Sequence, residues 1–405
     1  MVRDGDDRMD GNGTTWDTDR PWGSGPLRVV ELFSGIGAQA MALRNTGVPH
    51  TSVCVEIDAG AHASYCAIHG DTPNLGDITA LDSLPACDLV TWSFPCQSLS
   101  IAGRQDGMAE GSGTRSSLAW EVLRLLRDAH SRGEAPRWLV MENVKGLLSR
   151  RNTGEFARIR AELEALGYTN SWAVLNAVDF GVPQKRERVF MVSSLDGRAF
   201  AFPRGEGTDL RLRDVLEDPA DVDPSLFLSE EKVAGYEAHA RRHREAGHGL
   251  GWRPRDGDGV SPTVTTPAGG GHIPAILYPE GTRRGYREAY EGDGLVMPRP
   301  TLARGTVQDQ VSPTLTTGQG CGTGTVVGAD SGLRVRFLSP RECWRLMGFP
   351  DWAYDGAVAL GHSRTRLYRQ AGNSIVVPVL EAIFRGMFLE DSWDAGVQTR
   401  LEVDG

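Results

Sequence analysis

The stretch RVVELFSGIGA, residues 28–38, decides the fold of this chain. Its first half, RVVELF, is a short apolar run of the kind that forms a buried strand. Gly35 and Gly37 follow this strand, and residues 38–45 then have the pattern of a helix. Glycines at such a turn let a ligand approach the backbone, and the N-terminus of the helix favours negative charge.

The same alternation of short apolar runs and amphipathic stretches continues to about residue 203. Further strands are predicted at TSVCVEI (51–57), CDLVTW (87–92), RWLVMEN (137–143), SWAVLNAV (171–178) and RVFMVSS (188–194), and further helices at residues 59–69, 118–126 and 156–166. Repeated βα units of this kind predict an α/β fold with a mostly parallel, doubly wound, Rossmann-like sheet.

Residues 204–334 break this rhythm and are rich in Gly, Pro, Arg and Thr, which indicates a smaller, irregular, β-rich domain. The sequence VSPTVTT (260–266) returns as VSPTLTT (311–317). These two stretches are either similar β-hairpin arms or sites where hydroxyls and amides meet a phosphate backbone. Helical character returns at residues 339–349. In residues 370–384 a Gly-Asn turn precedes an apolar helix that is able to rejoin the first domain.

The composition is that of an ordinary intracellular protein. No apolar run approaches the roughly 18 residues that span a membrane, no signal peptide is visible, and the six cysteines form no CxxC pair. The net charge is −10, but residues 241–345 contain 14 arginines against ten acidic residues. Arginine suits phosphate and guanine recognition, although genomic base composition produces the same bias. The histidines have no metal-binding spacing, so we expect no metal.

Polar side chains follow several predicted strands. Glu56 ends the second strand, where an acid binds both hydroxyls of a ribose. Asp77, in GDI, follows the third candidate strand and suits an adenine amino group. Cys96, in SFPCQS, follows the fourth, and Glu142, in MENV, follows the fifth. Because these strand ends share one edge of the sheet, a thiol and a carboxyl group are expected beside an adenosine pocket.

The ordered motifs FSGIG, VEID, GDI, FPCQS, MENV, QKRERVF, RFLSPRE, MGFP and QAGNS resemble those of the DNA (cytosine-5)-methyltransferase family of bacteria and phages. The resemblance covers residues 28–385 apart from the variable middle. It implies S-adenosylmethionine as methyl donor, double-stranded DNA as substrate, a monomer, and a cytoplasmic, nucleoid-associated location. A separately encoded restriction endonuclease is a further expected partner if the enzyme belongs to a restriction–modification pair; a solitary or phage-borne enzyme is the alternative.

The resemblance assigns a reaction to these residues. Cys96 matches the nucleophile that attacks C6 of cytosine, so that C5 accepts a methyl group. Glu142 matches the glutamate that holds N3 and the exocyclic amine. Arg186 and Arg188 match the arginines that complete the catalytic set, and Arg188 is expected to contact the base carbonyl oxygen. Because a base inside a duplex cannot be reached, the cytosine must flip out.

The resemblance also assigns binding residues. Phe33 is expected to stack on adenine, while Ile57 takes a place where the family often has a larger apolar residue. The predicted cofactor-binding residues are Phe33, Gly35, Ile36, Gly37, Glu56, Ile57, Asp77, Ile78, Pro95, Asn373 and Ser374, and the predicted DNA-binding residues are Gln97, Ser100, Gln184 and Thr314. Thr314 with Leu315 matches the Thr-Leu pair of the target-recognition domain, and Thr263 with Val264 is a competing match.

These assignments predict four regions: a disordered tail at 1–26, a catalytic domain at 27–203 plus 363–390, a target-recognition domain with hinge at 204–362, and an acidic tail at 391–405. The acidic tail is also expected to be disordered. Two other functions share the motifs or the fold: a tRNA cytosine-5 methyltransferase, and a catalytically idle DNA-binding regulator. A nicotinamide oxidoreductase is disfavoured because the chain lacks GxGxxG and carries Cys96 in FPCQS.

Overall fold

The computed structural model describes residues 21–95, 115–207, 209–210, 212–218, 220–227, 275–279, 286–290, 294–296, 307–308, 311–312, 323–329 and 332–395. The chain forms two compact units. The first comprises Met1–Leu175, Glu187–Arg204 and Val377–Gly405, and the second comprises Asn176–Arg186 and Gly205–Val376. This division differs from the predicted one because residues 176–186 and 363–376 belong to the second unit.

A six-stranded sheet forms the centre of the first unit, with the order β2-β1-β3-β4-β6-β5. Its strands are β1 (Leu27–Leu32), β2 (His50–Val55), β3 (Leu89–Trp92), β4 (Trp138–Val144), β5 (Thr169–Asn176) and β6 (Glu187–Ser194). The pairs β1–β2, β1–β3 and β3–β4 are parallel, whereas β6 runs antiparallel to β4. The predicted α/β fold with a mostly parallel, Rossmann-like sheet is therefore confirmed.

The register of the parallel strands aligns their carboxyl ends. Leu32 of β1 pairs with Val55 of β2 and Trp92 of β3, and Trp92 pairs with Met141 of β4. All four side chains are buried, as expected for strands covered on both faces. The residues that come next along the chain are Phe33, Glu56, Ser93 and Glu142. Three of these four were predicted as site residues from the sequence.

Among the described residues of the first unit, four α-helices follow strands of the sheet, and a fifth comes from the last stretch of the unit. They are α1 (Ala38–Asn45), α2 (Ala59–His69), α3 (Ala119–Ser131), α4 (Thr153–Ala165) and α8 (Val377–Phe388). The predicted helices at 38–45 and 59–69 are confirmed. Helix α3 buries residues at helical spacing, including Ala119, Val122, Leu123 and Leu126. Helix α8 packs on α1, where Asn45 Nδ2 donates to Glu381 Oε1 at 2.6 Å.

The described residues of the second unit form antiparallel strands and three α-helices. Its strands are β8 (Ala275–Pro279), β9 (Tyr286–Tyr290), β10 (Gly294–Val296), β11 (Val307–Gln308), β12 (Thr323–Ala329) and β13 (Gly332–Phe337), and its helices are α5 (Pro340–Arg345), α6 (Asp351–Ala359) and α7 (Arg364–Asn373). Strands β8 and β9 pair with each other, and the other four form a sheet in the order β11-β10-β12-β13.

A buried ion pair joins β13 to α5 inside the second unit. Arg336 Nη2 and Nη1 donate to the two carboxylate oxygens of Glu342 at 2.6 and 2.8 Å, and both side chains are 0% exposed. Glu342 also accepts from the backbone N–H groups of Ser339 and Glu217 at 2.7 and 2.8 Å. Ser339 in turn caps α5 by accepting from the Glu342 N–H, which makes a capping box. One carboxylate therefore ties together a strand, a helix start and a loop.

Three expectations from the sequence are wrong. Residues 70–77 form no strand before Asp77; Asn74 makes only a single bridge to Cys54. The end of the N-terminal tail is ordered, since Trp22 packs edge-on against Phe388 at 5.4 Å. At the other end, β14 (Trp393–Ala395) pairs antiparallel with β7 (Arg198–Phe200). Residues 1–20 and 396–405 lie outside the described residues.

Within the described part of the chain, one helical stretch, Arg364–Phe388, is long and apolar enough to cross a membrane by length and composition. It consists of α7 and α8, and 67% of its apolar window is buried inside the protein. Its apolar residues are thus accounted for by packing within the fold.

Replacing Glu342 by Gln is expected to destabilise the protein by about 3–5 kcal/mol, because Arg336 then stays buried without a carboxylate. Urea unfolding followed by tryptophan fluorescence measures this free energy. The matched control is Arg364→Gln, which breaks the exposed pair between Arg364 and Asp223 and should cost less than about 1 kcal/mol. Equal effects of the two changes would contradict the importance of the buried pair.

Candidate active site

The turn between β1 and α1 has an unusual backbone conformation. Phe33, Gly35 and Gly37 have φ angles of +59°, +56° and +82°. Left-handed backbone is rare for a bulky residue such as phenylalanine, and it occurs mostly where a ligand or a mechanism requires it. The Phe33 N–H donates to the Val55 carbonyl oxygen at 2.8 Å, which ties the turn to β2. Ile36, within the turn, is buried.

Glu56 is held directly against this turn. One carboxylate oxygen accepts from the Gly35 N–H at 2.9 Å and the other from the Asp58 N–H at 2.8 Å. Asn74 fixes the Glu56 backbone from the other side, because its side chain accepts from the Glu56 N–H and donates to the Glu56 carbonyl oxygen, both at 2.9 Å. The carboxylate therefore has a fixed position beside the glycine turn.

Apolar surface lies exposed next to Glu56. Ile57 is 75% exposed, and Leu75 is also exposed. Asp77 accepts from the Thr79 N–H and hydroxyl at 2.9 Å and thereby caps a short 3-10 helix that begins at the buried Ile78. An apolar surface suits a purine ring, and a fixed carboxylate suits ribose hydroxyls. These residues fit an adenosine-containing cofactor.

Glu142 lies near the carboxyl end of β4 and is only 6% exposed. Its Oε1 is 3.2 Å from Arg188 Nε, and its Oε2 accepts from the Ser93 hydroxyl at 2.6 Å. Arg188 reaches this position because β6 pairs antiparallel with β4, which sets Arg188 opposite Val144. Each carboxylate oxygen thus has its own donor from a neighbouring strand.

The segment that leads to Cys96 is fixed by the same strand end. Asn143 Nδ2 donates to the Phe94 carbonyl oxygen at 3.0 Å, and Asn143 is buried. Pro95 is the last described residue before Cys96. The predicted site residues Cys96, Gln97, Ser100 and Thr314 lie outside the described residues, as do Thr263, Val264 and Leu315.

The second unit contains the remaining predicted residues. Arg186 is buried, and its Nη2 donates to the carbonyl oxygens of Gly372 and Ser374 at 3.1 and 2.8 Å. Arg186 therefore holds the turn after Asn373, which is the last residue of α7. The DNA-binding role predicted for Gln184 is not supported, because its side chain is 0% exposed and donates to the Leu346 carbonyl oxygen at 2.6 Å.

Sequence reasoning missed three polar residues that support the predicted ones: Asn74, Ser93 and Asn143. Asn143 was visible in the MENV motif and Ser93 in WSFPCQS, but neither residue type signals a role until the strands are paired. A fourth residue was also missed: Glu31, whose side chain is fully buried under the glycine turn and accepts from the Tyr65 hydroxyl at 2.6 Å.

Burial is the main influence on the ionisation of the Glu31 carboxyl group. It raises the pKa of Glu31 from 4.5 to about 7, against the opposing effect of the Tyr65 hydrogen bond. The His69 ring packs on Tyr65 with ring centroids 4.7 Å apart, and burial lowers the pKa of His69 to about 4. The glycine turn thus rests on buried groups that favour their neutral forms near pH 6.

The sequence matches the family model of the C-5 cytosine-specific DNA methylases over residues 27–388. The chain therefore belongs to this family, whose methyl donor is S-adenosylmethionine. The type II methyltransferase M2.ScrFI of Lactococcus lactis subsp. cremoris is 32% identical, with 89% of this chain and 99% of the relative covered. The orphan methyltransferase M.SPBetaI of Bacillus phage SPbeta is 31% identical, with 89% and 97% covered.

Solved structures show the same fold. The Dnmt2 methyltransferase of S. pombe has a TM-score of 0.55 and 21% identity, with 90% of this chain and 99% of that chain covered. A methyltransferase of Entamoeba histolytica, EhMeth, has a TM-score of 0.58 and 15% identity, with 89% and 98% covered. At these identities the likeness shows the fold alone, and the assignment to the DNA methylases rests on the sequence match.

Among the described residues, no group of three or more His, Cys, Asp or Glu side chains is arranged to hold a metal ion. The polar residues at the carboxyl edge of the sheet are instead paired with backbone N–H groups, a hydroxyl and a guanidinium. Their hydrogen bonding fits an organic cofactor and a base.

Glu31→Gln should change how stability depends on pH. The folded-state pKa of Glu31, about 7, lies above its ordinary value of 4.5. The stabilising contribution of the protonated carboxyl is therefore complete below pH about 4.5 and is lost as pH rises through 7. Since glutamine cannot ionise, the variant should gain on the order of 3 kcal/mol relative to wild type between pH 4.5 and 8. Unfolding titrations across this range measure the difference.

The control for this change is Glu164→Gln, which replaces an exposed glutamate on α4. It should leave the pH dependence of the unfolding free energy unchanged. The difference in unfolding free energy between wild type and Glu31→Gln should change between pH 5 and pH 8. An equal difference at both pH values would show that Glu31 does not titrate in this range.

Gly37→Ala should damage the turn more than Gly35→Ala. Both glycines are left-handed, but a Cβ on Gly37 would lie 2.5 Å from His69 Nε2 and 2.7 Å from Tyr65 Cδ2, whereas a Cβ on Gly35 meets nothing within 4 Å. We expect Gly35→Ala to cost about 1–2 kcal/mol from backbone strain and Gly37→Ala about 1–3 kcal/mol more from overpacking. Thermal unfolding of both variants measures which substitution lowers the stability more. A smaller decrease in Tm for Gly37→Ala than for Gly35→Ala would contradict the prediction.

Proposed function

We propose that this enzyme methylates C5 of cytosine in a specific short duplex DNA sequence through a covalent bond between Cys96 and C6 of a flipped-out base. The observation that carries the proposal is the Glu142 carboxylate, held by Arg188 and Ser93 one strand away from the segment that continues into Cys96. Addition to a pyrimidine requires a thiol and a fixed acid, and Glu142 is a fixed acid whose partner Ser93 lies three residues before Cys96 in the sequence.

The reaction needs two changes at the cytosine ring. The Cys96 thiolate forms a bond to C6, and the electron pair of the C5–C6 double bond moves toward C5 as N3 takes a proton. Glu142 supplies that proton and holds the exocyclic amine, which is general acid catalysis worth typically 10²–10⁴-fold. C5 then accepts the methyl group. Loss of the C5 proton to solvent and return of the N3 proton to Glu142 then restore the C5–C6 double bond and expel the thiolate of Cys96.

Arg188 supports this chemistry in two ways. Its Nε lies 3.2 Å from Glu142 Oε1, so that it orients the carboxyl group. Its side chain is 15% exposed, which leaves the guanidinium accessible to the carbonyl oxygen of the base. A planar guanidinium with several fixed donors suits both tasks at once.

S-adenosylmethionine supplies an electrophilic methyl group on a sulfonium sulfur. We assign its adenosine to the edge formed by Phe33, Glu56, Ile57 and Asp77. Glu56 would accept from the ribose hydroxyls, and Asp77 would accept from the adenine amine. Ile57 offers exposed apolar surface to the purine, and Phe33, which is partly buried against the core, supplies a second apolar side chain next to Glu56.

Target recognition is assigned to the second unit. Residues 241–345 are net positive with 14 arginines, and arginine recognises phosphates and guanine edges. The chain is similar both to a type II methyltransferase and to an orphan methyltransferase. The enzyme therefore acts either with a separately encoded endonuclease or without one. We further propose a monomer that acts in the cytoplasm.

Transfer of labelled methyl groups from S-adenosylmethionine to unmethylated duplex DNA tests the reaction, with wild type beside Cys96→Ala and Glu142→Gln. Wild type should methylate cytosine within one short motif, read by bisulfite sequencing. Cys96→Ala should be inactive, and Glu142→Gln should be slower by about 10²–10⁴-fold.

The covalent step has its own test. In duplex DNA with 5-fluorocytosine at the target, the fluorine cannot leave as a cation after methyl transfer, so the bond to Cys96 should persist. Wild type should give a complex that survives denaturing electrophoresis, and Cys96→Ala should give none. A complex with Cys96→Ala, or methylation by that variant, would overturn the assignment of the nucleophile; transfer only to tRNA would overturn the DNA substrate.

A further inference from the structure

Four residues directly follow the last paired residues of the parallel strands: Phe33, Glu56, Ser93 and Glu142. Ser93 is the one to which the family motifs assign no role. It follows β3 directly and lies three residues before Cys96. Its hydroxyl donates to Glu142 Oε2 at 2.6 Å, across 49 residues of sequence. We propose that Ser93 is a positioning residue, which fixes the plane of the Glu142 carboxyl group for its contact with the target base; this rests on the proposed role of Glu142.

The two donors on Glu142 act on different oxygens. Arg188 Nε lies 3.2 Å from Oε1, whereas the Ser93 hydroxyl is 2.6 Å from Oε2. One donor alone leaves the carboxyl group free to turn about its terminal Cγ–Cδ torsion, which is broad and weakly restricted in glutamate. Two donors on opposite oxygens fix that torsion. The shorter contact comes from Ser93, and a hydrogen bond to a charged group is among the stronger ones.

The backbone of Ser93 is itself fixed from β4. The preceding residue, Trp92, pairs with Met141, and the following residue, Phe94, gives its carbonyl oxygen to Asn143 Nδ2 at 3.0 Å. Asn143 is buried, and its Oδ1 accepts from the Val144 N–H at 2.9 Å, which sets the orientation of the amide. The serine hydroxyl is thus presented to Glu142 from a segment held on both sides by the strand that carries Glu142.

This arrangement links two groups that must act together. The Ser93 segment continues directly into Cys96, and its hydroxyl is bonded to the acid that protonates N3. Addition of the thiolate at C6 and proton transfer to N3 occur on the same ring, so a carboxyl group turned out of the ring plane slows the addition. The cofactor is assigned to Phe33, Glu56, Ile57 and Asp77, and the duplex outside the target base is assigned to the second unit. Loss of the serine hydroxyl therefore lowers kcat and leaves KM unchanged.

The experiment compares Ser93→Ala with Ser93→Thr and with Ser193→Ala in the full-length enzyme. Ser193 is the matched control, because its buried hydroxyl also makes a 2.6 Å hydrogen bond, to Asn170 Oδ1, in the same unit and away from Glu142. We expect Ser93→Ala to lower kcat about tenfold, the loss that follows from one hydrogen bond to a charged group. Ser93→Thr keeps the hydroxyl and should recover most of the rate, and Ser193→Ala should match wild type.

The affinity for substrates separates positioning from general damage. In Ser93→Ala the KM values for S-adenosylmethionine and for DNA should stay within about twofold of wild type. Release of tritium from DNA labelled at C5 of cytosine should slow together with methyl transfer, since both follow addition to C6. A Ser93→Ala protein with unchanged kcat, or with raised KM and unchanged kcat, would overturn the proposal.

A double-mutant cycle decides whether Ser93 acts through Glu142. In the Glu142→Gln background, Ser93→Ala should cause little further loss in single-turnover methyl transfer, because both changes remove one function. Independent, multiplied losses would overturn the proposal. If Ser93→Ala fails to fold, Ser93→Thr still tests it, since a folded threonine variant as slow as Glu142→Gln contradicts a hydroxyl-based role. An inactive wild type would instead count against the proposed function itself.

Discussion

The in-register pairing of four parallel strands is the constraint on which the candidate site depends. Leu32, Val55, Trp92 and Met141 form one buried row, so the next residue on every strand emerges at the same edge of the sheet. Those residues include a carboxylate beside a glycine turn, and a second carboxylate bonded to a serine hydroxyl. A shift of one residue in any strand would turn the corresponding side chain to the opposite face.

The same edge requires interactions that are unfavourable by themselves. Phe33 adopts a left-handed backbone, and Glu31 carries a carboxyl group into the interior, where burial raises its pKa to about 7. The surrounding sheet must stabilise both features, since each costs on the order of 1–3 kcal/mol or more. Stability that decreases as pH rises through 7 is one result. The residues under the glycine turn therefore connect the geometry of this edge to the stability of the whole first unit.

Much of this architecture was predictable from the sequence because it depends on local patterns. The apolar runs and the glycine turn specify β1 and α1, and the spacing in residues 59–69 specifies α2. The false strand before Asp77 has a different origin: a motif was taken to imply a strand end, whereas Asn74 forms the connection through side-chain hydrogen bonds. Such bonds leave no periodic pattern in a sequence.

Long-range partners account for the remaining differences. Gln184 was assigned to DNA from its motif, but its amide is used inside the second unit, by a residue 162 positions away. Trp22 and Trp393 were placed in disordered tails because the acidic residues around them dominate the composition; each instead packs against an aromatic side chain, Phe388 or Phe200. Ser93 became visible only when β3 and β4 were seen side by side. These contacts could not be predicted because composition describes the average of a segment, whereas each contact depends on a single residue and a distant partner.

The first unit is assembled from three separate stretches of chain, the last of which contains α8 and β14. Helix α8 covers α1, the helix that begins at the glycine turn. A chain that ended at residue 376 would contain β1 to β7 but would lack α8, the helix that packs on α1 behind the glycine turn. The first unit can therefore be completed only after its last stretch of chain has been made, and removal of residues 377–405 is expected to destabilise the unit that contains β1 and β4.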